Sequence, residues 1–137
     1  MTDVATVQGW LDSSPFIAFL GVRVTLVDTE AGRVGMTMPM RPELERSGQI
    51  QGQYHGGPIA AFIDIAGDFA VAIKVGGGVP TINLRIDYLR PSTGAHLEAV
   101  ATARRVGRTV GVVDIEVTDT EGRLTAIGRG TYSSAVG

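Results

Sequence analysis

The sequence predicts an α+β domain in which a curved antiparallel sheet packs against one long helix. Two observations carry this. Residues 57–73 read as a single helix, because Ile59, Phe62, Ile63, Ala66, Phe69, Ala70 and Ile73 recur at helical spacing. Its opposite side offers Ala60, Ala61, Gly67 and Val71 in place of charged residues, so most of the helix is expected to be enclosed. On both sides of it the chain alternates apolar and polar residues with period two, the mark of half-buried strands.

Taken in order, residues 4–11 form a short amphipathic helix ending near Ser13, Ser14 and Pro15, and residues 16–20 form a second turn stopped by Gly21. Residues 1–20 are thus an N-terminal helical segment. Val22, Val24 and Leu26 then alternate with Arg23, Thr25 and Val27, and Val34, Met36, Met38 and Met40 with Arg33, Gly35, Thr37 and Pro39. Ala31 and Gly32 turn between these two strands as a hairpin. A loop over residues 41–54 leads to the central helix, which Gly76, Gly77 and Gly78 terminate. Ile82, Leu84, Ile86 and Tyr88 alternate with Thr81, Asn83, Arg85 and Asp87 in the clearest strand of the chain. Three further strands, at about residues 95–105, 109–118 and 123–133, form an antiparallel meander with turns at Gly107 and at residues 120–122.

The 137 residues suit a single domain spanning 1–137, with one substantial core. A net charge of −2 argues against nucleic acid as the main partner. The absence of cysteine removes disulfides, thiolate nucleophiles and Cys-containing metal sites. No apolar run reaches the roughly 18 residues that suggest a membrane span, and the N-terminus lacks the pattern of a signal peptide. A cytoplasmic protein is expected.

The central helix carries only two charges within residues 57–73, Asp64 and Asp68. An ionised carboxylate in apolar surroundings is costly unless it is hydrogen-bonded, paired, or kept for chemistry. Just before this helix stand His55, Gly56, Gly57 and Pro58, a turn with Pro near the first helical position, which leaves backbone N–H groups pointing outward. Such an end can hold an anion or a developing oxyanion. Asp64 lies nine positions after His55, so donor and acid are expected to flank one carbonyl.

The run from Gln49 through His55, Gly56, Gly57 and Asp64, followed by Thr81 to Pro91, resembles the hotdog-fold acyl-CoA thioesterases, most closely the phenylacetate-pathway, PaaI-like subgroup. The likeness covers most of the chain, from about residue 16 to residue 133. It implies that Asp64 attacks the thioester or activates water while the Gly56 N–H polarises the carbonyl. His55 shapes the turn and contacts the thioester region, Gln49 orients the carboxylate or water, and Thr81 matches a small hydroxyl residue at the start of the next strand. It further implies that no metal or redox cofactor is needed, coenzyme A being part of the substrate. Similar proteins pair two helices and join two sheets into a dimer with its sites at the interface, and many form dimers of dimers. Ala60, Ala61 and Gly67 would permit such close packing.

Gly57, Arg90 and the turn cluster Arg104, Arg105 and Arg108 are candidates for substrate contact, the last three for the phosphates of coenzyme A. Asp68 departs from one branch of the family, which has a hydroxyl residue there. At i and i+4 it neighbours Asp64, so it either shares the site, where repulsion would raise one carboxyl, or turns to an Arg such as Arg85 or Arg90. A nucleotide-binding glycine loop, a metal site built on His55 and His96, and a nucleophile elbow all lack their required spacing. The rival functions are a non-catalytic acyl-CoA sensor and a hotdog-fold hydratase or dehydratase. The latter typically places a His after the Asp on the helix, and none follows Asp64 here.

Overall fold

The computed structural model describes residues 2–135. Two short helices, α1 (Val4–Asp12) and α2 (Pro15–Leu20), open the chain, followed by the hairpin β1 (Arg23–Asp28) and β2 (Arg33–Pro39). The long helix α3 (Gly56–Val75) comes next, then β3 (Thr81–Tyr88), β4 (His96–Val106), β5 (Val110–Thr118) and β6 (Leu124–Ser133). All pairings are antiparallel, in the order β1-β2-β4-β5-β6-β3. This is the hotdog architecture. The meander β4–β5–β6 lies where the alternation put it, while β3 crosses to the far edge, beside β6. A period-two pattern shows which face of a strand is buried but says nothing of its neighbour, so this placement could not be read from the sequence.

Each helix has a local reason to begin and end. The Asp3 carboxylate accepts the Thr6 N–H at 2.8 Å at the start of α1, and Pro15 occupies the first turn of α2. Gly21 (φ 71°) and Gly76 (φ 95°) close α2 and α3 in the left-handed conformation, where glycine carries no Cβ penalty. Gln8 ties α1 to the outer strand: its side chain accepts the Val24 N–H at 2.7 Å and donates to the Val22 carbonyl at 3.3 Å. That covers backbone groups on an otherwise open sheet edge.

The core lies between α3 and the concave face of the sheet. Val34, Met36 and Met38 of β2, Leu97, Ala99 and Ala101 of β4, and Val113, Ile115 and Val117 of β5 are buried against Phe62, Ile63, Ala66 and Ala70. Two strands depart from their expected alternation: in β3, at the sheet edge, Ile82 and Tyr88 are exposed although the simple pattern points them inward, and the other is β1. The register of β1 against β2 slips between Val24 and Leu26, and Leu26 is exposed although the simple pattern points it inward. A β-bulge explains this, because one extra residue reverses the faces beyond it. Gly35 makes room for it, since a Cβ there would lie 3.0 Å from Thr25 Oγ1 and 3.1 Å from Leu26 Cβ.

Gly67 also differs from expectation. It is buried within its own chain, not offered to a partner, and a Cβ there would run into the Tyr132 hydroxyl and ring and come within 3.1 Å of Ile115 Cδ1. Gly67→Ala is therefore expected to destabilise the fold by about 1–3 kcal/mol, the usual cost of overpacking. Adding Tyr132→Phe should recover part of that loss in urea unfolding, because it removes the atom met first.

Candidate active site

Between its first turn and Lys74, the part of α3 that is not closed in is a narrow stripe. Gly57 is exposed, and Ala60, Ala61, Asp64 and Asp68 are half-buried, whereas residues 65–67 and 69–73 are buried. Both helix carboxylates therefore sit on one partly open face, as residues four apart on a helix must.

At the helix start, His55 is the N-cap: its Nδ1 accepts the Gly57 N–H at 3.2 Å. In the neutral ring this places the proton on Nε2. The His55 N–H is itself anchored on the Leu44 carbonyl at 2.8 Å. Pro58 has no N–H and Gly57 donates to His55, so the Gly56 N–H is the amide of this turn left without an acceptor among the described residues. Tyr88, at the end of β3, donates its hydroxyl to the Gly56 carbonyl at 2.8 Å and so fixes that peptide. A cleft of about 500 Å³ opens here, lined by Gly56, Gly57, Tyr88 and Arg90 together with Arg46 and Gln53.

Further along the helix, Asp64 Oδ1 accepts the Thr81 hydroxyl at 2.7 Å, and the Tyr132 hydroxyl donates to the Asp64 backbone carbonyl at 3.3 Å. Burial, with the charges of Asp64 and Asp68 behind it, pushes the Tyr132 phenol up, so it stays a donor throughout the working pH range. Asp68 turns to neither Arg85 nor Arg90; its Oδ1 accepts the Val79 N–H at 3.1 Å. Burial pushes its carboxyl up to about 6, opposed by that hydrogen bond and aided by the neighbouring charge of Asp64.

The raised carboxyl has a consequence for stability. Because the folded value of about 6 lies above the ordinary 3.8, Asp68 costs nothing when protonated in both states. The cost grows as pH rises through that window and is complete above it. Asp68→Asn is thus expected to gain up to about 3 kcal/mol on the native protein between pH 3.5 and 7.5. Urea unfolding of both proteins at the two pH values checks this.

The remaining expected residues scatter. Gln49 lies on the exposed loop before α3, bordering a depression with Arg46, Gly48 and Gln53, and makes no hydrogen bond to Asp64. Arg104 is held by Asp114 at 2.9 Å, together with Arg129, whose hydrogen bonds keep the Asp114 carboxyl well below its usual range. Arg105 folds along the turn at Gly107, and neither it nor Arg108 has an ion-pair partner among the described residues. Among the described residues no cluster of three or more His, Cys, Asp or Glu is arranged to hold a metal ion, and no helix is long and apolar enough to cross a membrane.

A long helix wrapped by a six-stranded antiparallel sheet, with an acid on its open stripe and a free amide at its start, is an arrangement that suits a hydrolase of the thioesterase type. Residues 51–126 match the family model described as "Thioesterase superfamily", and the chain belongs to that family. A Halobacterium salinarum protein named "Putative esterase" is 38% identical over 93% of this chain and 89% of its own length. A solved structure of a thioesterase-superfamily protein is 34% identical, with a TM-score of 0.89 over 95% of this chain and 96% of the other. The PaaI protein of E. coli, from the phenylacetic acid degradation operon, shares the fold at 23% identity, with a TM-score of 0.83 over 96% and 91% of the two chains.

Proposed function

We propose that the protein hydrolyses an acyl- or aryl-CoA thioester to the free acid and coenzyme A, in a site completed by a second copy of the chain. The observation that carries this reading is the separation of Asp64 from Gly56. Eight residues of helix amount to about 12 Å of rise, too far for both groups to reach one carbonyl from the same chain. The sequence-level expectation that donor and acid flank one carbonyl therefore calls for a partner.

Two α3 helices running antiparallel about a two-fold axis at Ala60 would bring Gly56 of one chain opposite Asp64 of the partner subunit, since positions 56 and 64 lie symmetrically about 60. Small side chains at Ala60 and Ala61 favour such a crossing. The exposed strand β3, with Ile82 at 58% and Tyr88 at 53% exposure, is the sheet edge that would continue into the partner's.

In that site the thioester carbonyl oxygen points at the Gly56 N–H. Asp64, directly or through a water it deprotonates, supplies the attack on the carbonyl carbon. The tetrahedral oxyanion is held by the amide, the C–S bond breaks, and coenzyme A leaves as a thiolate that needs no strong acid; where Asp64 attacks directly, water then cleaves the resulting mixed anhydride, releasing the acid and restoring the carboxylate. Thr81 aims the carboxylate, His55 holds the amide-bearing turn, and Gln49 lies on the loop that leads to that turn. Arg90 and Arg46 offer cations beside the cleft for phosphate that have no ion-pair partner among the described residues, with Arg105 and Arg108 as a second basic patch. No metal or redox cofactor enters this chemistry, and a cytoplasmic setting and a dimer of dimers accord with it.

The test is thiol release from short, long, phenylacetyl and hydroxybenzoyl CoA esters. Turnover of at least one ester is expected. Tight binding of CoA esters without turnover would instead indicate a sensor.

A further inference from the structure

The two helix carboxylates are engaged by one and the same segment of chain. After Gly76 the connection runs through Gly77 and Gly78, which have no side chains to direct it, then Val79 and Pro80 to Thr81. Val79 is buried, its N–H donates to Asp68 at 3.1 Å, and two residues later the Thr81 hydroxyl donates to Asp64 at 2.7 Å. The spacing fits, because two residues of extended chain span about 6.6 Å and one helical turn rises about 5.4 Å. Helix and segment run in opposite directions, so Asp68 meets Val79 first and Asp64 meets Thr81 next. Between them the Pro80 carbonyl accepts the Ser133 N–H at 2.9 Å, which fixes the segment to β6.

We propose that Asp68 is a positioning residue: by accepting the Val79 N–H it docks the α3–β3 connection on the helix, and so places the Thr81 hydroxyl that aims the Asp64 carboxylate. This rests on the thioesterase reading for its kinetic consequence, though not for its geometry. A carboxylate is a costly acceptor here, since burial pushes its carboxyl up to about 6. What it provides is a fixed point on the helix, beside the one that Ser133 gives on β6, for a connection that three consecutive glycines would otherwise leave free to choose among many conformations. Asp68 itself need not touch substrate.

Four variants test this: Asp68→Ala, Asp68→Asn, Thr81→Val and the double variant Asp68→Ala/Thr81→Val. Losing the docking point should lower kcat about 10- to 100-fold with little change in KM, the scale of a misaimed catalytic group. Asp68→Asn, whose amide oxygen still accepts the Val79 N–H, should recover most of that loss. The double variant should be no slower than Thr81→Val alone, because both changes remove the same hydrogen bond to Asp64. Wild-type kcat in Asp68→Ala, or Asp68→Asn as impaired as Asp68→Ala, would overturn the proposal, the second result showing that the charge itself is needed. A crystal structure of Asp68→Ala gives a readout independent of activity. Thr81 Oγ1 is expected to have left hydrogen-bonding distance of Asp64, and finding it still bonded overturns the proposal as well. Should the wild-type protein cleave no thioester at all, the thioesterase reading falls and the crystal structure alone decides on Asp68.

Discussion

Asp64→Asn is expected to lower kcat on a cleaved CoA ester by 100-fold or more, within the range seen when a general base or nucleophile is removed. The substitution keeps the size of the side chain and can still accept the Thr81 hydroxyl, now at 2.7 Å from Oδ1, so the fold around α3 should persist. On the proposed mechanism, what is lost is the negative charge that attacks the carbonyl or takes a proton from water. Steady-state thiol release measures the loss, and KM should change far less than kcat, because Asp64 acts as the carbonyl carbon becomes tetrahedral. An equal loss in kcat/KM carried by KM alone would place Asp64 in substrate binding instead.

Gly56→Pro removes the hydrogen-bond donor and sets the ring Cδ where the N–H pointed, with little change to the backbone. Proline is well tolerated at the first helical position, and His55, with φ −65° and ψ 152°, already has the extended backbone that a following proline requires. A Cβ at Gly56 meets the Tyr88 ring at 3.4 Å, an ordinary contact. If the Gly56 N–H holds the oxyanion, kcat should fall by about 100- to 1,000-fold, while the melting temperature stays close to that of the native protein. Retention of full activity would move the oxyanion contact elsewhere.

Much of this site was legible in the chain. The apolar periodicity of α3 announced a buried helix, and against that background two aspartates stood out. The His-Gly-Gly-Pro run marked the helix start and its free amide, which the structure narrows to Gly56 once His55 is seen to occupy the Gly57 N–H. Thr81 was found through the family resemblance, and its hydrogen bond to Asp64 gives that assignment a geometry.

Other parts had no local signal. Tyr88 reads as one more residue of an alternating strand, and only the folding of β3 beside the start of α3 shows its hydroxyl fixing the Gly56 peptide. Gly67, opposite the apolar stripe, suggests a partner contact in the sequence, whereas Tyr132, 65 positions later, takes up that space. Such pairings depend on strand order, which periodicity does not encode. The ion pairs around Asp114 are similar: Arg104 looked like a free phosphate ligand until β4 and β5 placed it against an acid.

A mixing experiment between the two variants above is the most direct test of a site shared between chains. Each homodimer, Asp64→Asn or Gly56→Pro, should be nearly inactive. A dimer containing one chain of each would carry one site with both groups intact and one with neither. Random reassortment, by co-refolding equal amounts, should then restore about a quarter of wild-type thioester hydrolysis. Activity no greater than the sum of the two parents, with mixed dimers shown to have formed, would mean that Gly56 and Asp64 do not work together across the interface.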